Sequence, residues 1–176
     1  NAWPGRLRAE PGLEVPGGMA RYHLITEEGF IATLCHEAGH LFAGSPHRQE
    51  ISLEGQADYY STMKCMEEVF ERLGYNSSKS DLECEGKFCE ERLKGARSLT
   101  SYYAEISKVP APSLSTPDLT IVRRTITNHP KPQCRFDTMV AGIRCSNRDP
   151  FSYDNTSEGA CGQSGQRPLC WFNPTK

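Results

Sequence analysis

Eight cysteines in 176 residues, nearly one residue in twenty, constrain what this chain can fold into more than any other feature. An even number at that density points to a disulfide framework made in an oxidising compartment, so the expected location is secreted or periplasmic. None of the cysteines forms a C-x-x-C pair, which argues against a thiolate zinc ribbon or finger. Local spacing suggests the pairs Cys84–Cys89, Cys134–Cys145 and Cys161–Cys170, and this leaves Cys35 with Cys65. That last bridge matters most, because it would tie together the two segments that carry the chemistry.

Cys35 directly precedes His36-Glu37-Ala38-Gly39-His40. Histidines at i and i+4 of a helix sit one above the other on the same face, where two imidazoles can bind one Zn²⁺. The glutamate between them would then reach a metal-bound water as general base. The surroundings predict that helix. Thr26 can cap it, Glu27 and Glu28 suit its first turn, and Gly44-Ser45-Pro46 ends it. Phe30, Ile31, Leu34, Leu41 and Phe42 supply an apolar surface, so the histidines belong to a buried or half-buried helix. Gly39 is a poor helix former, and a glycine in such a place often marks a close backbone approach.

A catalytic zinc site needs a third protein ligand and an open position. A metzincin pattern would place G-x-x-H directly after the second histidine, but Ala43 and Pro46 stand at those positions. His47 misses by one residue, lies beyond the helix-ending turn, and serves only as a reserve ligand. Glu54 is the better candidate. It opens a second predicted helix, capped by Ser52 and running through Tyr59, Tyr60, Met63, Met66, Val69 and Phe70. Glu54 and Asp58 are i, i+4 neighbours, so Glu54 can serve as ligand while Asp58 accepts from the free N–H of a ligating histidine.

This pairing of H-E-x-x-H with a following E-x-x-x-D resembles the gluzincin zinc metallopeptidases, of which thermolysin is the familiar member. The form Glu54-Gly55-Gln56-Ala57-Asp58 is also similar to the Ste24/HtpX-type and ImmA-type peptidases. The resemblance implies that His36, His40 and Glu54 bind zinc, Glu37 acts as base and then acid, and Asp58 orients a histidine. Only thirteen residues separate His40 from Glu54, fewer than in thermolysin-like enzymes, so no elaborated subdomain fits between the helices. A vaguer resemblance, to a family of secreted bacterial proteins, rests on Cys35–His40, Glu54–Tyr59 and His129–Thr138, and implies nothing beyond the zinc site. Gluzincins often take an oxyanion-stabilising histidine or tyrosine from later in the chain. His129, on the N-H-P-K-P turn, is the first choice for that role, with Tyr59, Tyr60 and Tyr153 as weaker alternatives.

The remaining sequence sets outer limits. The length suits one domain over residues 1–176 with a real core. A formal net charge of −2 with interspersed signs leaves no nucleic-acid footprint. No apolar run reaches the length of a membrane span. The chain opens on Asn1 without a signal-like segment, as expected of a processed or excised form.

Residues 1–18 read as an extended, irregular lead-in, and residues 20–25 as a short strand that could accept an extended substrate by β-augmentation. Helical spacing covers residues 88–109 and 133–143, and residues 119–126 alternate like a strand. Arg135 and Asp137 read as a structural pair. From residue 145 the chain is expected to be irregular and held by cysteines.

These features together predict an α-rich α+β fold carrying a secreted zinc metallopeptidase that acts on peptide or protein substrates. The competing expectation is a non-catalytic secreted zinc-binding interaction module.

Overall fold

The computed structural model describes residues 3–7, 10–15, 17–77, 86–145 and 165–174. Its β content is small. Strands β1 (Trp3–Leu7) and β2 (Glu10–Glu14) form an antiparallel hairpin where an irregular lead-in is expected. Strands β3 (His47–Arg48) and β4 (Ile51–Ser52) make a second, shorter antiparallel pair. The predicted strand over residues 20–25 is absent: a 3₁₀ turn occupies Met19–Arg21, and no sheet edge is offered there for β-augmentation.

Helix α1 (Glu27–Phe42) starts as its sequence dictates, with the Thr26 hydroxyl accepting from the Gly29 N–H at 3.1 Å. It ends at Gly44, whose φ of 74° suits glycine in the left-handed region. Ile31, Ala32 and Cys35 enter the core, whereas Phe42, expected on the buried stripe, is 57% exposed. Helix α2 (Glu54–Tyr60) continues through a π-helical stretch, Ser61–Cys65, into α3 (Met66–Arg72). Leu53, not Ser52, stands at its N-cap. The Ser52 hydroxyl instead donates to the Gly44 carbonyl at 2.7 Å, closing the connection from α1.

Helices α4 (Cys89–Ile106) and α5 (Pro132–Arg144) complete the helical body, close to the two expected spans. Their Leu93, Ala96, Leu99, Phe136, Met139 and Ile143 pack with α1 and with Met66 and Phe70 of α3 in one core. Residues 119–126 form no strand, since only two of their backbone groups bond to backbone elsewhere among the described residues. Val122 N–H donates to Leu169 O at 3.0 Å and Ile126 N–H to Trp171 O at 2.8 Å. The last described stretch, 165–174, has no strand or α-helix, as its composition suggests.

Two disulfides lie among the described residues. Cys35–Cys65 joins α1 to the π-helical stretch, as elimination predicts. Cys134 pairs with Cys170, which corrects the expected Cys134–Cys145 and Cys161–Cys170. Proximity in sequence misleads here because α5 carries Cys134 and Cys145 to opposite ends of one helix. Cys89 and Cys145 are also disulfide-bonded, while Cys84 and Cys161 lie outside the described residues.

The close approach signalled by Gly39 is with α2. A Cβ on Gly39 would sit 2.8 Å from Ala57 Cα and 2.9 Å from Ala57 O. Gly39→Ala sets a helix-propensity gain of about 1 kcal/mol against overpacking of about 1–3 kcal/mol. Backbone atoms cannot swing aside, so the overpacking wins. Chemical denaturation is expected to show net destabilisation, together with weaker metal binding as the helices part.

Candidate metal centre

The Gly39–Ala57 contact lies between His36 and His40 on one helix, a residue short of His40, and between Glu54 and Asp58 on the other, a residue short of Asp58. Each helix therefore presents an i, i+4 pair to the other across its point of closest approach. The side-chain donors of His36, His40 and Glu54 come within 4.8 Å of one another and could hold a metal ion. His36 Nε2 lies 3.3 Å from Glu54 Oε2, and His40 Nε2 lies 3.6 Å from Glu54 Oε1.

The far side of each imidazole is fixed. His40 Nδ1 lies 2.8 Å from the Ser52 carbonyl, which can only accept, so Nδ1 carries the proton and Nε2 presents its lone pair. His36 Nδ1 lies 2.9 Å from Asp58 Oδ1. Asp58 is in turn gripped by Arg135 of α5, whose Nε and NH2 donate to its two oxygens at 2.8 Å each. Arg135 rests over the Tyr103 ring, 4.0 Å from its centroid, and reaches within 3.7 Å of Glu54 Oε2. Arg135 thus pairs with Asp58 rather than with Asp137. Asp137 instead accepts from Gln133 Nε2 and the Asp118 N–H.

This network sets the charges. Burial disfavours an ionised Asp58, but Arg135 and His36 outweigh it and hold the carboxyl far below its ordinary range. Burial likewise opposes charge on His36, yet Asp58 raises that imidazole to about 9. His40 moves the other way, pushed down by burial and by the neighbouring charge of His36. Glu54, despite burial, is drawn down to about 2 by His36, Arg135 and His40.

Do these residues suit a metal? Glu54 Oε2 is buried and makes no well-formed hydrogen bond among the described residues, with His36 Nε2 3.3 Å away. A buried carboxylate oxygen in that condition is a costly arrangement that a cation relieves. Two imidazole nitrogens and one carboxylate form a set that borderline divalent ions accept, and no described cysteine is free to add sulfur. The residues fit.

A hollow of about 700 Å³ opens over the donors. Glu37, 7% exposed, lines it beside the histidines. His129, from the α4–α5 connection, also lines it with a largely exposed ring, and its Nε2 lies 3.2 Å from Glu54 Oε1. Other candidates fall elsewhere. His47 is exposed on β3, 3.0 Å from Ser45 Oγ, and is not among the donors. Tyr59 donates to the Gly165 carbonyl at 2.7 Å, and Tyr153 lies outside the described residues. Arg135, expected only as a structural partner of Asp137, lines the same hollow together with Tyr102 and Tyr103. For Arg135 the available signal was the need of a buried Asp58 for a cation, with the partner 77 residues away.

Replacing Asp58 with Asn leaves Arg135 buried without its counter-charge, so a loss of about 3–5 kcal/mol is expected for the metal-free chain near pH 7. A carboxyl whose folded pKa is depressed contributes stability above its unfolded value of 3.8 and loses it as pH falls toward the folded value. Denaturation curves of the wild type and the variant should therefore converge as the solution is acidified through that range. A gap that does not narrow with acid counts against the ion pair.

Compared with family models, curated protein sequences and solved structures, the chain matches none. What the centre can do therefore rests on its own residues: two oriented imidazoles, one carboxylate and a second, unligated glutamate on the wall of one cleft.

Proposed function

We propose that this chain is a zinc-dependent peptidase of gluzincin type that works outside the cytosol. The observation that carries the reading is Glu37: a buried acid beside a three-donor metal group, in a cleft, with no part among the three donors. A structural site has no use for it. The two described disulfides and the absence, among the described residues, of any helix long and apolar enough to cross a membrane are compatible with an extracytoplasmic location.

His36, His40 and Glu54 would hold the ion, which when bound supplies Lewis acidity toward a peptide carbonyl and toward water. Glu37 takes a proton from the attacking water and returns it to the leaving amine nitrogen. Ser52, Asp58 and Arg135 keep the two imidazoles pointed at the ion. His129 lines the cleft from another element and would donate a hydrogen bond to the oxygen that gains charge.

One observation favours a second reading. His129 Nε2 is 3.2 Å from Glu54 Oε1, near enough to supply a fourth protein ligand and close the site as a structural one. In this cleft, however, the mutually close donors among the described residues are His36, His40 and Glu54.

Metal analysis combined with peptide turnover separates these readings. Glu37→Gln should retain one zinc per chain while turnover falls by about a hundredfold or more. His36→Ala should lose the metal as well. His129→Ala should keep the metal and slow turnover, whereas loss of metal in that variant supports the structural reading. Full activity in Glu37→Gln would falsify the mechanism.

A further inference from the structure

The most exposed apolar side chains lie outside the cleft. Leu119 and Ile121, on the connection between α4 and α5, are 84% and 73% exposed, more than any other large apolar side chain among the described residues. Single exposed aliphatic residues are ordinary on a protein surface. These two stand one residue apart, and a third joins them: Leu169, 43% exposed, lies on the backbone to which Val122 bonds. Arg123 and Arg124 follow directly, both exposed and without an ion pair among the described residues.

The patch is displayed on a fixed backbone. The Asp118 N–H donates to Asp137 Oδ2 of α5 at 2.7 Å, and Asp118 Oδ1 accepts from the Thr120 N–H at 3.0 Å. On the other side the Val122 N–H donates to the Leu169 carbonyl at 3.0 Å, and Asn173 Nδ2 donates to the Arg123 carbonyl at 2.7 Å. Cys134–Cys170 joins those two supports, α5 and the 165–174 stretch, to each other. The chain is therefore already ordered where its side chains enter water, and docking loses little further entropy. Asp118 is half-buried and engaged, so the free charges of residues 118–126 are the two arginines.

Size and sign decide the partner. Three aliphatic side chains fall far short of the roughly 1,200 Å² at which stable protein interfaces begin. A lipid surface sets no such minimum. A few apolar side chains can enter the boundary between headgroups and acyl chains while arginines beside them reach anionic headgroups. We propose that residues 119–124, with Leu169, dock the protein on an anionic membrane surface. Leu119 and Ile121 enter the lipid, and Arg123 and Arg124 pair with its phosphates. This surface is separate from the metal centre, and the inference does not rest on the peptidase reading.

The test titrates the full chain with vesicles of phosphatidylcholine alone, or of phosphatidylcholine with about 30% phosphatidylglycerol, and measures bound protein by co-sedimentation. Binding to the anionic vesicles should exceed binding to the neutral ones by about tenfold or more, and should fall as salt is raised to about 0.5 M. Leu119→Ser/Ile121→Ser and Arg123→Gln/Arg124→Gln should each weaken it by about tenfold. All four side chains face solvent, so the melting temperature should stay unchanged in both variants.

Equal binding to the two vesicle types overturns the inference, as does binding that survives both double variants or an absence of binding at millimolar lipid. A concentration-dependent dimer in sedimentation velocity, dissolved by Leu119→Ser/Ile121→Ser, also overturns it by assigning the patch to a second copy of the chain.

Discussion

The candidate metal centre depends on one van der Waals contact, Gly39 against Ala57. Because neither residue has a side chain longer than a methyl, α1 and α2 approach until backbone meets backbone. Only at that separation can short side chains such as Glu54 and Asp58 reach the imidazoles of the facing helix. Longer residues at the crossing would hold the axes apart by more than a carboxylate can span. The surrounding structure secures the contact. Cys35–Cys65 bonds α1 to the π-helical stretch just past α2, and the Ser52 and Gln56 side chains both donate to carbonyls at the end of α1. Trp171 lies flat enough against Gly55 that a Cβ there would enter its ring.

A dense group of charges follows from that proximity. Asp58 and Arg135 are essentially inaccessible to water, and neither would tolerate burial alone. Their bidentate pairing satisfies both, and it transmits the position of α5 to His36. Arg135 is thus a packing element with a charge, bracing the ligand helices from a third side. The Tyr103 ring beneath it supplies a face that a guanidinium can desolvate against.

The two ligand helices were legible in the sequence because their information is local. Thr26 as cap, Gly44 as terminator, and the i, i+4 spacings of His36/His40 and Glu54/Asp58 all act within a few residues. Gly39 could be read as a close approach, though its partner could not. What sequence reading missed depends on distant encounters. Arg135 was assigned to Asp137, its neighbour in sequence, whereas α5 turns it toward Asp58. Cys134 was assigned to Cys145, whereas the fold brings Cys170 to it. Residues 119–126 have the alternation of a strand but lie beside a segment with no strand geometry, so propensity found no ladder to join. The β1–β2 hairpin was hidden by Pro4, Pro11 and paired glycines that read as irregular chain.

Cys134–Cys170 and the Arg167–Gln56 hydrogen bond give the centre an unusual dependence on chain order. The candidate donors all lie within residues 36–54, yet their supports come from far later: Arg135 lies 77 residues beyond Asp58, and Arg167 lies 111 residues beyond Gln56. During synthesis the donors emerge long before the groups that aim them. A nascent chain therefore carries the ligands without their bracing, and the centre is completed only when the 165–174 stretch folds back over α2. Completion of the candidate centre therefore waits on residues made long after its donors.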